Sequence, residues 1–185
     1  MLGLDNNLAL IERAMEGSVS AWERLVKRHE RLVFNHALRM TGNHDDALDL
    51  MQEVFMGVYS NLHQFKQDGN FKSWLLKITS NRCIDFFRRR KPDHDADEEP
   101  LATIASDQTT PEDAFFKSTQ NQLVMHVLTQ LNPDQRMVIE LKFFQNLTFE
   151  EIATLTAIST NTIKSRFYAA LRNLKSLLEV HHVAS

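Results

Sequence analysis

Apolar residues recur along this chain at spacings of three and four, and no segment alternates strictly, so the pattern predicts helices throughout and an all-α fold. Trp22, Leu25, Val26, His29, Leu32, Val33, His36, Ala37 and Met40 mark one long stripe. Ser20 and Glu23 stand at capping-box spacing before it, and Gly42 behind it can take the left-handed backbone that closes a helix. His29 and His36 fall on that apolar stripe and read as core histidines. After Asn43 the pattern resumes through Ala47, Leu50, Met51, Val54, Phe55, Val58 and Leu62, and beyond a loop at Gly69 through Phe71, Trp74, Leu75 and Ile78. These helices can share one core.

From Lys91 to about Thr110 the periodicity stops. The segment is acidic and polar, broken by Pro92 and Pro100 and closed by Pro111, the composition of a flexible linker. The expected organisation is two small helical domains, 1–91 and 113–185, joined by an acidic tether at 92–112. The second domain carries a stripe through Leu123, Val124, Val127, Leu128 and Leu131. Asn132 and Pro133 follow as cap and first-turn signals, and Thr148 with Glu151 forms another capping-box pair.

Residues 148–178 have the layout of a helix-turn-helix: a short helix to about Thr156, a turn at Ala157 to Ser159, and a longer helix capped by Ser159 or Thr160. At 100 degrees per residue, Ile163, Phe167, Ala170, Leu171 and Leu174 lie inward and Asn161, Ser165, Tyr168, Ala169 and Arg172 outward. A recognition helix presents its first turns to base edges while cations hold phosphates. Asn161, Thr162, Lys164 and Ser165 are placed for bases, and Arg166 and Arg172 for the backbone.

The net charge of -3 across 185 residues hides a local arrangement. Arg82, Arg88, Arg89, Arg90 and Lys91 form a basic run, and acids follow it at once. The helix over Ser159 to Ser176 carries Lys164, Arg166, Arg172 and Lys175 and no acid. Asp46, Asp49 and Glu53 share the polar side of their helix, either as a solvated face or as a docking surface for a basic partner. Lys77, Asn81 and Arg88 suit nucleic acid, and the nearby Phe65, Phe71 and Trp74 are either core or stacking platforms for unstacked bases. Cys83, the only cysteine, excludes an intramolecular disulfide. No signal segment or bilayer-length apolar run is present, so a cytoplasmic protein without membrane insertion is expected. No paired catalytic spacing, Gly-rich phosphate loop or metal-ligand pattern appears. The expectation is no enzyme, no cofactor, no metal and no small-molecule substrate.

These motifs, in order, resemble extracytoplasmic-function sigma factors, the smallest members of the sigma-70 family. DALDLMQEVF at 46–55 is similar to the family's polymerase-docking helix, and FKSWLLKITSNRCIDFFRRRK at 71–91 to its promoter-melting segment. LNPDQRMVIELKFFQNLTFEEIA at 131–153 then leads into the TIKSR of the helix that reads the -35 element. The resemblance implies that Asp46, Asp49, Gln52 and Glu53 bind the clamp helices of the largest subunit of core RNA polymerase. It implies that the loop from Gln64 to Asn70, with Phe65 and Lys66, captures a flipped base of the -10 element, with Lys77, Asn81, Arg82 and Arg88 nearby on promoter DNA. It places Arg136, Asn161, Thr162, Lys164, Ser165, Arg166, Tyr168 and Arg172 at the -35 element, runs the acidic linker near the nascent transcript path, and brings in an anti-sigma factor as partner. Two departures stand out. The usual Gly-Ile-Pro turn is Ala157, Ile158 and Ser159 here, and Ala169 and Leu171 occupy positions where many relatives carry arginine. The other reading, a helix-turn-helix regulator with a sensing or dimerising N-terminal domain, accounts for only half of these motifs.

Overall fold

The computed structural model describes residues 4–66, 69–90 and 119–183, and all regular structure within them is helical. In the N-terminal half α1 (Leu4–Met15), α2 (Val19–Thr41), α3 (His44–Asn61) and α4 (Phe71–Arg90) follow one another, with a single 3-10 turn at Leu62–Gln64. The C-terminal half holds α5 (Thr119–Thr129), α6 (Pro133–Ile139), a π-helical turn (Glu140–Phe144), α7 (Phe149–Thr156) and α8 (Thr160–Val183). The expected linker at 92–112 lies outside the described residues.

The boundaries follow local chemistry. Ser18, not Ser20, caps α2, its Oγ accepting from the Ala21 amide. Gly42 closes the same helix in the left-handed region, φ 71°, its amide donating to Leu38. Asn43 accepts from the Asp45 and Asp46 amides to start α3, and Asn132 caps α6 ahead of Pro133. The Thr148–Glu151 capping box forms as the sequence predicts. Helix α1 was not among the predicted elements; it buries Leu10, Ile11 and Ala14 against the N-terminal core.

Two cores result. One belongs to the N-terminal half alone and gathers Ile11, Leu25, Val33, Val54, Val58, Leu62, Phe71 and Leu75. The other is shared: Ala37, Met40, Ala47, Leu50, Leu76 and Cys83 pack with Leu131, Val138, Leu141, Ile152, Ile163 and Phe167. The halves are two helical units, as expected, and they share a common apolar interface. The physical reason is that α2, α3 and α4 carry apolar residues on more than one side, and burying each large aliphatic side chain contributes roughly 1.5–3 kcal/mol. His29 and His36 are buried as expected. Among the described residues no helix is long and apolar enough to cross a membrane.

Candidate docking and nucleic-acid interface

Helix α3 sets its buried row, Ala47, Leu50, Val54, Phe55 and Val58, against α2 and α4 and turns its polar row outward. Asp49 and Gln52 are exposed there, while Asp46 and Glu53 are half-buried. The two half-buried acids meet cations from the end of α4: Arg90 Nη1 lies 2.7 Å from Asp46 Oδ2 and Arg89 Nη2 3.1 Å from Glu53 Oε2. The predicted acidic row is thus one row in space, with its two ends linked to the basic run and its middle open.

The loop before α4 is held by an aromatic cluster. Phe65 is 7% exposed, packs edge-on to Phe71 at 5.4 Å between centroids and lies 5.5 Å from Trp74. Phe65, expected at the -10 element, has its ring beneath the loop, where it packs on Phe71 and Trp74. Lys66 and Asn70 stay exposed, and Asn70 caps α4 through the Ser73 amide. Gln64 is exposed and donates to Asn61. Lys77, Asn81 and Arg88 are exposed on α4, Arg88 lying 3.0 Å from Asp85. Arg82 is half-buried, its guanidinium resting on Gly57 of α3, where an added Cβ would sit 3.4 Å from Nη2.

In the C-terminal half the helix-turn-helix takes its expected form. Ala157 adopts φ 57°, a left-handed conformation that costs a Cβ-bearing residue about 1–2 kcal/mol relative to glycine. The Ile158 amide closes the turn on Ala153 at 3.2 Å, and Ser159 Oγ accepts from the Thr162 amide to begin α8. Ile163, Phe167 and Ala170 are buried, so Asn161, Thr162, Ser165, Tyr168 and Arg172 emerge on the surface. Lys164 is half-buried over the Phe149 ring, and Arg166 is tied to Asp134 at 2.8 Å.

Arg136 departs from its expected role in this arrangement. It is 6% exposed, and its guanidinium donates to the carbonyls of Met40, Thr129 and Leu131, the last at 2.9 Å. Burial lowers its pKa to about 10, which leaves it cationic at neutral pH. The reason is positional: at the start of α6 it satisfies carbonyls that the ends of α2 and α5 leave without helical partners.

Residues that sequence reasoning missed lie beside it. Glu140 is 1% exposed and takes two bonds from Arg39, 2.6 Å to Nε and 2.9 Å to Nη2, with a third from Gln145 Nε2 at 3.0 Å. His36 Nδ1 lies 3.5 Å from the same carboxylate, and burial holds the imidazole pKa below its ordinary value. Arg39 stacks on Phe144 at 4.2 Å. A glutamate inside the apolar run VIELKFF was the available signal, since a buried acid demands a partner. Among the described residues no group of three metal-ligating side chains exists.

Comparison with known proteins decides what these surfaces belong to. The sigma-70 region 2 family matches residues 25–92, and the sigma-70 region 4 family matches residues 121–174. The RNA polymerase sigma factor SigV of Bacillus subtilis is 32% identical over 147 residues, 80% of this chain and 84% of that protein. The chain belongs to the extracytoplasmic-function subfamily of sigma-70 family sigma factors. The ECF RNA polymerase sigma factor SigE of Mycolicibacterium smegmatis is 29% identical across 90% of the chain, which spans 65% of that relative's length. In fold the chain resembles the sigma factor RpoE of Bartonella quintana, solved with the anti-sigma factor NepR. The TM-score is 0.63 at 23% identity, covering 88% of this chain and 99% of that one. As a sigma factor, the protein directs promoter-specific transcription initiation by RNA polymerase. Region 2 falls on α2 to α4 and region 4 on α5 to α8.

Proposed function

We propose that the three surfaces divide the work of initiation. On α3, Asp49 and Gln52 form the open centre of the docking row for core RNA polymerase, with Asp46 and Glu53 at its ends. The Gln64 to Asn70 loop and α4, with Lys77, Asn81 and Arg88 on its exposed side and the half-buried Arg82 beside α3, engage the -10 element. Unstacking a base costs a few kcal/mol, and the cations of α4 offset this by holding the displaced strand. Helix α8 enters the major groove at the -35 element with Asn161, Thr162, Ser165 and Tyr168 toward the bases and Lys164, Arg166 and Arg172 toward phosphates. In this reading residues 1–91 form the polymerase-binding and melting unit, 92–112 the tether and 113–185 the upstream reader. Arg136 joins the -35 contacts only when α6 separates from α2.

The observation that carries the reading is the outward row of α8: a capped N-terminus, polar residues on the exposed side, and no acid between Thr160 and Ser176. The reading places the protein in the cytoplasm with the polymerase. An anti-sigma factor is the proposed regulator, as the RpoE–NepR complex provides for a protein of the same fold. The docking row is tested by titrating purified core polymerase into labelled protein. Asp49→Arg, at an exposed position, is expected to weaken binding at least tenfold while leaving thermal stability unchanged. Wild-type affinity in that folded variant removes α3 from the docking role.

A further inference from the structure

Consecutive arginines end α4, and their side chains part company. Arg88 turns back to Asp85 on its own helix, 3.0 Å away. Arg89 and Arg90 reach across to α3 instead, to Glu53 at 3.1 Å and to Asp46 at 2.7 Å. Asp46 and Glu53 stand about 10 Å apart along a helix that rises about 1.5 Å per residue, with Asp49 between them. Both ends of the docking row therefore already hold a cation, while the exposed Asp49 stays open in the middle.

The two pairs differ in how firmly they are held. Arg90 is positioned from two sides: its guanidinium lies 4.7 Å from the centre of the Phe86 ring while it bonds Asp46, whose side chain is only 21% exposed. The Arg89 pair is looser, with the side chains of Arg89 and Glu53 at 59% and 40% exposure. A partner that docks on this row brings cations of its own. Each carboxylate that holds an arginine must give up that bond before it can take the new one. An exposed ion pair resists this by a factor of about 1.5–5, small enough for docking to proceed and large enough to set its affinity.

From this geometry we infer that Arg89 and Arg90 compete, within the chain, with core RNA polymerase for the acids of α3. The end of α4 thereby holds the affinity for the polymerase below what the docking row alone would give. This rests on the assignment of α3 to polymerase docking, and it gives Arg89 and Arg90 a role opposed to that of the row they contact.

The test is a titration of purified core polymerase into labelled protein at about 0.15 M salt, where exposed charges more than about 8 Å apart are largely screened. Arg89→Gln with Arg90→Gln removes both charges at exposed positions and keeps part of each aliphatic stem. The double variant is expected to bind core polymerase about threefold more tightly or better, while its circular dichroism matches wild type. In an Asp46→Asn background, Arg90→Gln alone is expected to give no gain, because the acid it would release is no longer charged. Lys72→Gln takes one exposed cation from the other end of α4 and is expected to leave the affinity within about 1.5-fold of wild type. Binding unchanged or weakened by the double substitution overturns the inference. So does a gain from Arg90→Gln that persists in full without the Asp46 charge, or an equal gain from Lys72→Gln. If Asp49→Arg, measured alongside, binds as tightly as wild type, the docking row itself is at fault and the inference falls with it.

Discussion

Removing Arg39 should cost more than any surface salt bridge in this protein. The Glu140 carboxylate is 1% exposed, and Arg39→Ala takes away two of its charge-assisted bonds, leaving only Gln145 at 3.0 Å and the imidazole of His36 at 3.5 Å. Breaking a buried pair by deleting one partner typically costs about 3–5 kcal/mol, because the surviving charge is left in a poor solvent. Arg39 itself is only 12% exposed at its side chain, so solvent screening discounts little of this. For a chain of this size, about 2–4 °C of melting temperature per kcal/mol gives a drop of roughly 6–20 °C. If the halves part before they unfold, the same free energy emerges as expansion, visible in small-angle scattering. His36 supplies an independent signature: Arg39 helps hold its pKa down and Glu140 pushes it up, so the variant's imidazole should titrate at higher pH in NMR spectra. A loss under about 1 kcal/mol with unchanged dimensions would show that the pair is solvated, and would refute the reasoning.

Ala157→Gly relieves the left-handed strain at φ 57° and is expected to stabilise the C-terminal half by about 0.5–1 kcal/mol in urea unfolding, because the looser unfolded chain offsets part of the gain; destabilisation would mean that the turn is not strained. Lys164→Ala with Arg166→Ala should lower -35-dependent initiation and reduce the salt slope of DNA binding by about 0.9 for each phosphate no longer neutralised; an unchanged slope takes both off the phosphates. His29 has its pKa lowered to about 4, chiefly by burial and then by the charges of Arg28 and Lys72. Its imidazole is therefore neutral when folded. The unfolded chain binds the extra proton between about 4 and 6.5, so the contribution to stability is complete above pH 6.5 and is lost as pH falls toward 4. Urea unfolding at pH 7 and pH 5 should show this decline, and His29→Gln should flatten it; equal slopes in both proteins would rule out the assignment.

Much of the architecture was legible because it is local. The caps at Asn43, Asn132 and Thr148, the end at Gly42 and the inward row of α8 each follow from a few neighbouring residues. The start of α2 was displaced because Ser18 and Ser20 compete as caps and only backbone geometry separates them. Leu4, Leu8, Ile11 and Met15 carry a helical period, yet α1 went unread among neighbouring polar residues and without a cap signal. The candidate site was legible only in part. The acidic row and the reader helix are periodic features, whereas the burial of Arg136 depends on a distant segment. The pairing of Glu140 with Arg39 lies beyond local pattern altogether, since nothing near either residue names its partner.

The central claim is that this chain confers promoter specificity on an enzyme that lacks it. Purified core polymerase should transcribe genomic DNA with and without the folded protein, and the 5′ ends of the transcripts should be mapped. The account predicts new start sites that appear only with the protein and share one pair of upstream elements at -35 and -10. Core polymerase giving the same scattered start sites whether or not the protein is present would contradict it.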